Sequence, residues 1–250
     1  MSKPPMSEPP MSEPPRSEPP WDRIPNHLTY RATRELITGL LVEQPHVGQL
    51  AVPACPGWTV GDVIAHLVSV CRGVVDGTER HLWEIPVDGP GRELPALLEA
   101  WAALDAGVEG RLTEPFRRQH AILIMDCLSH ELDLRSALGL PVLDDHPAYP
   151  VALDLVTLGF GAAVGARGLP ALRVQTPGAE WLAGQGEPVA TVRGHRHDLY
   201  RSLTGRRTVE QIYALDWTGD PGTWLPAFAW GPFQPPDFAT EVACRPAGAR

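Results

Sequence analysis

Four segments between residues 24 and 140 repeat apolar residues every three or four positions, which predicts amphipathic helices. They cover residues 27–44, 59–82, 94–112 and 119–139. Four such helices with short connections favour an antiparallel bundle. The bounds are supported by a capping-box pattern at Thr59 and Asp62 and by Gly139 followed by Pro141, which ends the last segment.

The chain changes character after Pro150. A helix rich in small residues (151–168) precedes two strand-like runs at 171–176 and 188–194, and two short helices at 197–205 and 208–215 follow. This alternation predicts a small α+β domain. The predicted fold is therefore a four-helix bundle over residues 21–148 followed by a small C-terminal α+β domain over 149–250. The aromatic and proline-rich stretch 217–236 is expected to wrap over a surface.

The first twenty residues repeat a proline-rich pentad, MSKPP, MSEPP, MSEPP and RSEPP. Such a polar tract buries too little surface to offset its ordering entropy, which predicts a disordered, polyproline-like tail. Either the tail is an inert extension, which its composition favours, or it binds a partner that recognises proline motifs.

Charge and cysteine content narrow the function classes. The net charge of -9 argues against nucleic acid, because phosphate binding needs clustered Lys and Arg. The four cysteines (Cys55, Cys71, Cys127 and Cys244) stand far apart without a CxxC pair, which favours a reduced, cytoplasmic setting. No run of about 18 apolar residues is evident, so no membrane span is expected.

The fourth predicted helix carries two polar strips. Asp126, His130 and Asp133 share one face because they stand three or four positions apart. Glu131 and Arg135, an i to i+4 ion pair, fall on nearly the opposite face. We expect the Glu131–Arg135 pair to face solvent, which leaves Asp126 and His130 facing inward. Charges buried there are costly unless they are paired or bind a metal.

Asp126 and His130 can reach one divalent ion together, since they lie one helical turn apart. His66, at the edge of an apolar stripe in the second helix, is a third candidate ligand. Asp62 and Asp133 are candidates to orient the two imidazoles by accepting their second ring N–H. The alternative is a buried ion pair with a structural histidine, and spacing alone does not decide between these interpretations.

Three stretches resemble one known family in the right order. Residues 55–67, CPGWTVGDVIAHL, resemble the cPGWTvrDvlaHL signature of the mycothiol-dependent maleylpyruvate isomerase family, within the DinB-like superfamily. Residues 125–139 resemble its E-x-x-x-H-x-x-D-L element, and residues 186–207 resemble its C-terminal domain. The likeness runs from about residue 25 to the end of the chain.

The resemblance implies a DinB-like four-helix bundle with a His, Glu, His metal triad, usually zinc, joined to a small α+β domain. Carried over by position, it places His66, Asp126 and His130 on the metal, with Asp126 one methylene shorter than the family's Glu. Three protein ligands leave an open position, typical of catalytic zinc. In the family this position receives the sulfur of a low-molecular-weight thiol, mycothiol. The resemblance thus implies thiolate addition to an electrophile, by a maleylpyruvate-like isomerase or a thiol S-transferase.

A dianionic substrate such as maleylpyruvate would need cationic clamps, for which Arg is suited. The candidates are Arg72 in the second helix and Arg193, Arg206 and Arg207 further on. For Arg206 and Arg207 the pattern favours the alternative that basic side chains complement a helix C-terminus. The HRH run at 195–197 is expected to be exposed and to form no second metal site.

A second function class stays open. In a non-catalytic binding protein, the two domains would enclose a small apolar ligand and the polar strip would be structural. Metal content and metal-dependent thiol binding distinguish this class from the enzyme.

Overall fold

A computed structural model describes residues 24–78, 93–114 and 118–241 of the chain. The N-terminal repeats and Cys244 lie outside these residues. The described helices are α1 (Asn26–Leu41), α2 (Val60–Asp76), α3 (Leu94–Ala102), α4 (Asp105–Leu112), α5 (Arg118–Ala137), α6 (Tyr149–Ala166), α7 (Arg196–Leu203) and α8 (Val209–Tyr213). The strands are β1 (Leu172–Thr176), β2 (Ala179–Ala183), β3 (Ala190–Arg193) and β4 (Asp216–Trp217). The protein is therefore a helix-rich chain with one four-stranded sheet in its described part.

The predicted helix at 94–112 is divided into α3 and α4. Trp101 is buried at the end of α3, and Asp105 begins α4 with its Oδ1 2.9 Å from Arg34 Nε of α1. The intervening Ala103 and Leu104 form a turn. The break lets the indole reach the core while the carboxylate reaches its partner on another helix.

Two hydrophobic clusters meet along α5. Leu123 and Cys127 belong to the cluster that α5 forms with α1, α2, α3 and α4. Leu128 and Leu132 belong to a second cluster, formed with α6, α7 and the sheet. A helix that contributes to two cores is buried on most sides rather than amphipathic. The domain boundaries at 21–148 and 149–250 stay a prediction.

The expectation that Glu131 and Arg135 face solvent is wrong. Glu131 is fully buried and Arg135 is 7% exposed, because the second cluster covers the face that a lone bundle would leave in water. The two side chains pair with each other, and Arg135 Nη1 also donates to the Pro141 carbonyl at 3.0 Å. Pairing satisfies most of this buried charge, as burial in a low-dielectric interior demands.

The sheet has the strand order β2-β1-β3-β4. β1 pairs antiparallel with β2 and parallel with β3, and β3 pairs antiparallel with β4. Leu172, Val174 and Val192 point to the buried face, where α6 contacts the sheet. The sequence predicts β1 and β3 correctly but not the short strands β2 and β4, which carry weaker apolar patterns.

In the described part of the chain, one helix, α6, is long and apolar enough to cross a membrane, judged by length and composition alone. Its mean hydropathy is 1.4, a value that the sequence prediction overlooked. Of this helix, 56% is buried inside the protein, as in the core helix of a globular fold. The composition of α6 is thus weak evidence for a membrane span.

The aromatic stretch after β4 does more than wrap a surface. It contains the short 3-10 helices Pro221–Thr223 and Leu225–Phe228, and Trp224 and Phe228 are buried in the second cluster. Residues 230–241, here called the C-terminal strap, follow. Trp230 Nε1 donates to the Leu203 carbonyl at 3.0 Å and so fastens the start of the strap to α7.

Candidate metal centre

The start of α2 places His66. Thr59 caps the helix, and Asp62 Oδ2 accepts from Thr59 N at 2.9 Å and from Thr59 Oγ1 at 2.8 Å. This capping box confirms the predicted helix start. It also occupies the Asp62 carboxylate, which was predicted to orient His66. The cap begins α2 in a register that turns His66, two turns further on, towards α5.

His66, Asp126 and His130 come together between α2 and α5. His66 Nε2 lies 3.3 Å from Asp126 Oδ2, and His130 Nε2 lies 3.6 Å from Asp126 Oδ1. The two imidazole rings meet edge to face with centroids 5.0 Å apart. One ligand atom from each residue lies within 4.8 Å of the others. The three residues that the resemblance places on a metal are thus neighbours in space.

The donor set fits a divalent metal. Among the described residues, Asp126 Oδ2 is buried without a hydrogen-bond partner, although His66 Nε2 lies 3.3 Å away. Burial raises the pKa of Asp126, but the nearby His66 and His130 outweigh this and lower it below its usual range. Two imidazole nitrogens and a carboxylate oxygen are common zinc ligands. In the part of the chain that the structure describes, this set leaves a buried carboxylate oxygen available as a ligand.

Asp133 lies behind His130. Its Oδ2 is 3.2 Å from His130 Nδ1, which leaves His130 Nε2 directed towards Asp126. Arg201 Nη2 contacts the other carboxylate oxygen, and Arg206 Nη2 donates to Oδ2 at 3.1 Å. Burial raises the pKa of Asp133, yet the two guanidinium groups hold it well below its usual range. Asp133 therefore stays ionised and can orient the imidazole.

Cys55 borders the same group. Its Sγ lies 3.3 Å from Asp133 Oδ2 and 3.9 Å from His130 Nδ1. Burial and the Asp133 charge raise the pKa of the Cys55 thiol. Cys55, His130 and Asp133 form a second group with metal-ligand spacing, but two arginines already occupy the oxygens of Asp133. The protonated thiol thus serves as a hydrogen-bond donor to Asp133.

A cavity of about 220 Å³ opens at the triad. His66, Asp126 and His130 form one side of it. The remaining wall is largely apolar or aromatic and comprises Trp58, Ile122, Met125, Pro232 and Phe233, with Ser129 and Arg206 as its polar members. The triad therefore faces a small compartment between α2, α5 and the C-terminal strap.

Of the four candidate arginines, Arg206 lines this cavity. Arg207 is buried away from it, where it pairs with Asp198 and Glu241. Arg193 lies on the exposed face of β3 and donates to Gln175. Arg72 lies on α2 and is half-buried outside the cavity wall.

The histidines at 195–197 differ from the prediction. His197 is 2% exposed, and its Nδ1 lies 3.1 Å from the Tyr149 hydroxyl. His195 caps α7, since its Nδ1 accepts from the His197 amide at 3.3 Å. The two side chains separate because the helix begins between them.

Two cavity residues had no role in the sequence prediction. The Trp58 ring lies 5.2 Å from the His66 ring and 6.1 Å from the His130 ring, measured between centroids. The position of Trp58 within the CPGWTV stretch is the sequence signal that could have identified it as a cavity residue. Phe233 reaches the cavity from the strap, about 100 residues away from α5 in sequence, where no periodicity marks it.

No family model matches the chain, and no curated protein matches it. Among solved structures, the crystal structure of the mycothiol-dependent maleylpyruvate isomerase aligns with a TM-score of 0.50 at 14% identity, over 77% of this chain and 91% of that chain. The chain shares the fold of that isomerase. A histidine-to-alanine mutant of the isomerase aligns with a TM-score of 0.48 at 15% identity, over 72% and 88% of the two chains.

Proposed function

We propose that the protein is a divalent-metal-dependent enzyme that uses a mycothiol-like thiol as a nucleophile on an electrophilic small molecule. The observation that carries the proposal is the convergence of His66 Nε2, Asp126 and His130 Nε2 at one side of a cavity. The fold shared with mycothiol-dependent maleylpyruvate isomerase supports it. Zinc is the proposed metal, because it accepts this donor set and leaves a position open for catalysis.

In this proposal each residue of the triad has a defined task. His66 and His130 supply imidazole nitrogens, and Asp126 supplies the charge and an oxygen that has no hydrogen bond within the described part of the chain. Asp133 accepts from His130 Nδ1 and so keeps Nε2 free of its proton for the metal. Asp126 keeps the carboxylate of the resembling family's Glu on a shorter arm, and its oxygens lie 3.3 and 3.6 Å from His66 Nε2 and His130 Nε2.

A bound metal would supply one chemical function, which is to hold the thiol sulfur in its deprotonated form at neutral pH. The chain supplies the surroundings. Trp58 covers the two imidazoles on one side, and the strap closes the cavity on another, so water is partly excluded from the reacting atoms. Arg206 lines the cavity, and in this proposal it donates a hydrogen bond to the electrophile.

Both an isomerase and an S-transferase begin with attack of the sulfur on the electrophile. An isomerase then releases the thiol after rotation about the former double bond, whereas a transferase keeps the thioether. The proposal covers the shared first step, and product analysis after incubation with mycothiol distinguishes the two outcomes.

Metal content of purified variants tests the proposal. We expect about one zinc per chain after loading and dialysis, and loss of that zinc in His66→Ala and His130→Ala. His46→Ala is the matched control, because His46 is exposed in the 3-10 helix Pro45–Gln49 and lies outside the triad. Circular dichroism verifies that each variant is folded.

Calorimetric titration with mycothiol tests the part of the proposal that concerns the thiol. Saturable binding that requires the metal is expected of the enzyme. Folded protein that takes up no metal would overturn the proposal. Metal-independent binding of an apolar ligand without thiol binding would instead favour the non-catalytic binding protein.

A further inference from the structure

Ser129, a polar side chain of the cavity wall, is already hydrogen-bonded within the protein. Ser129 Oγ lies 2.8 Å from the Tyr200 hydroxyl, which itself donates to the Met125 carbonyl at 2.8 Å. The Ser129 proton is therefore directed to Tyr200. Outside the triad, a ligand meets apolar side chains on most of the wall.

Arg206 is the one cationic side chain that the described residues place in this wall. Its Nε and Nη2 donate to Asp133 at 3.4 and 3.1 Å, and its Nη1 donates to the Thr204 carbonyl at 2.7 Å. An arginine carries five N–H groups, so these contacts leave one on each terminal nitrogen. Its charge is balanced within a buried cluster, in which Arg206, Arg201 and Arg207 pair with the carboxylates Asp133, Glu241 and Asp198. Arg206 is thus equipped to bind one neutral acceptor rather than to balance two carboxylates.

The apolar side of the cavity is held in place by the strap. Gly205 has a φ of +68°, and a Cβ there would lie 2.7 Å from the Gln234 carbonyl oxygen, so the strap passes directly over this turn. Phe233 packs on Trp230 with ring centroids 4.9 Å apart. At the far end, Glu241 accepts from Arg201 Nε at 2.6 Å. A wall fastened at both ends offers Phe233 as a preformed contact for a ligand.

From this wall we infer that the electrophile is an uncharged α,β-unsaturated carbonyl compound with an apolar body, and not a dicarboxylate. The inference rests on the proposed function for the thiol and narrows its substrate class. The carbonyl oxygen accepts from Arg206, and the apolar body lies between Phe233, Met125 and Ile122. A cavity of about 220 Å³ is below the usual range for drug-sized ligands, which fits a small substrate.

The reaction balances without an oxidant or a second reactant. The thiolate sulfur forms a bond to the β-carbon, and the π electrons move to the carbonyl oxygen as an enolate, which Arg206 stabilises by its hydrogen bond. The α-carbon then takes a proton from water, which replaces the proton that the thiol lost to water. The product is a neutral ketone thioether.

Calorimetric titration with unreactive analogues tests the inference independently of turnover. Benzylacetone carries one ketone on an apolar body, whereas α-ketoglutarate carries one ketone and two carboxylates. We expect benzylacetone to bind the metal-loaded protein with a Kd at least about tenfold lower. Tighter binding of α-ketoglutarate would overturn the inference and leave the metal and thiol function intact.

Variants of the strap assign the binding to the cavity. Phe233→Ala should raise the Kd of benzylacetone about tenfold, and Phe233→Leu should restore most of the affinity. Phe238→Ala is the matched control, because Phe238 lies on the same strap and is 83% exposed. An equal effect of both alanine variants would contradict the assignment.

A parallel measurement keeps the two proposals separable. Conjugation of mycothiol to benzylideneacetone, the unsaturated counterpart, is followed by chromatography with mass analysis, with maleylpyruvate as the dianionic competitor. Mass identifies a thioether, and retention time separates maleylpyruvate from its geometric isomer. If neither compound reacts while benzylacetone still binds, the thiol chemistry fails and the ligand class stands. If maleylpyruvate reacts faster, the ligand class fails and the thiol chemistry stands.

Discussion

Asp133 and Arg206 form a buried ion pair whose shared oxygen also faces His130. Asp133 Oδ2 lies 3.1 Å from Arg206 Nη2 and 3.2 Å from His130 Nδ1. One carboxylate thus orients a candidate metal ligand and fixes the cation of the cavity wall. Position 133 therefore connects the candidate metal centre to the cavity wall.

Asp133→Asn should be strongly destabilising, because it leaves two buried guanidinium groups, Arg201 and Arg206, without their common partner. We expect the free energy of unfolding to fall by about 3–5 kcal/mol. Where the variant remains folded, its zinc affinity should fall about 10–100-fold in competition with a chelator, since His130 loses its orienting acceptor.

Asp216→Asn is the control for this change. Asp216 pairs with Arg193 at 3.6 Å on the exposed face of the sheet, so its loss should alter stability by about 1 kcal/mol or less. Equal losses in the two variants, measured by urea denaturation, would contradict the central role of Asp133.

Asp126→Glu and Asp126→Asn separate carboxylate charge from arm length. The Glu variant keeps the charge and adds one methylene, so we expect it to retain about one zinc per chain. The Asn variant removes the charge and should lose zinc on dialysis. Cobalt substitution provides the readout, because the visible absorption of the bound ion reports a change in its ligands. Retention of zinc by the Asn variant would exclude Asp126 as an anionic ligand.

Gly205→Ala should displace the C-terminal strap. The new Cβ would lie 2.7 and 2.8 Å from backbone atoms of Gln234, which cannot rotate away as a side chain would. We expect a loss of about 1–3 kcal/mol from this overpacking, in addition to the cost of a positive φ. Benzylacetone binding should weaken as well, because Phe233 precedes the displaced residue.

Gly139→Ala is a close control, because Gly139 has the same φ of +68° and a Cβ there would meet no heavy atom within 4 Å. It should show only the cost of the left-handed conformation, about 1–2 kcal/mol. Thermal denaturation and calorimetry of both variants check the difference. Similar ligand affinity in the two would argue against a role for the strap.

Stability should fall as the pH drops below about 6.5, the ordinary histidine pKa. Burial lowers the pKa of His146 to about 4, and burial with the charges of Arg201 and Arg207 lowers that of His197 to about 2. The unfolded state therefore binds more protons than the folded state between these values and pH 6.5. This stabilisation is complete above about pH 6.5 and is lost towards lower pH.

Each of these histidines contributes up to about 1.4 kcal/mol per pH unit within its range. Urea denaturation at a series of pH values measures the slope, which His197→Gln should reduce. His46→Gln, at an exposed position, should leave it unchanged. A slope that is identical in all three proteins would show that other groups cause the acid sensitivity.

The elements that the sequence predicts well are those with local signals. α1 and α2 follow the apolar periodicity, and the cap at Thr59 is as its motif predicts. α5 lies close to its predicted residues, although it is buried on most sides. The prediction of one continuous helix over 94–112 is wrong at its middle, because the contacts of Trp101 and Asp105 with other parts of the protein determine where the helix breaks. Local helix propensity contains no information about contacts between residues that are far apart in the sequence.

The polar residues of α5 also show how far local sequence can predict the structure. The spacing of Asp126 and His130 predicts that they share a face, and the family signature adds His66. The opposite strip, Glu131 and Arg135, resembles a solvent pair in sequence, yet the second cluster buries it. A helix alone cannot indicate that another layer will cover its polar side.

The sequence by itself indicated most of the helices and the cap at Thr59, because these depend on residues close together in the chain. The resemblance of two of its motifs to a known family named His66, Asp126 and His130 as candidate metal ligands. Only the tertiary structure decided which arginine lines the cavity and which residues close it. Arg206 and Phe233 reach the triad through a turn and a strap far along the chain from α2. Their position follows from packing across distant segments, which no local pattern encodes.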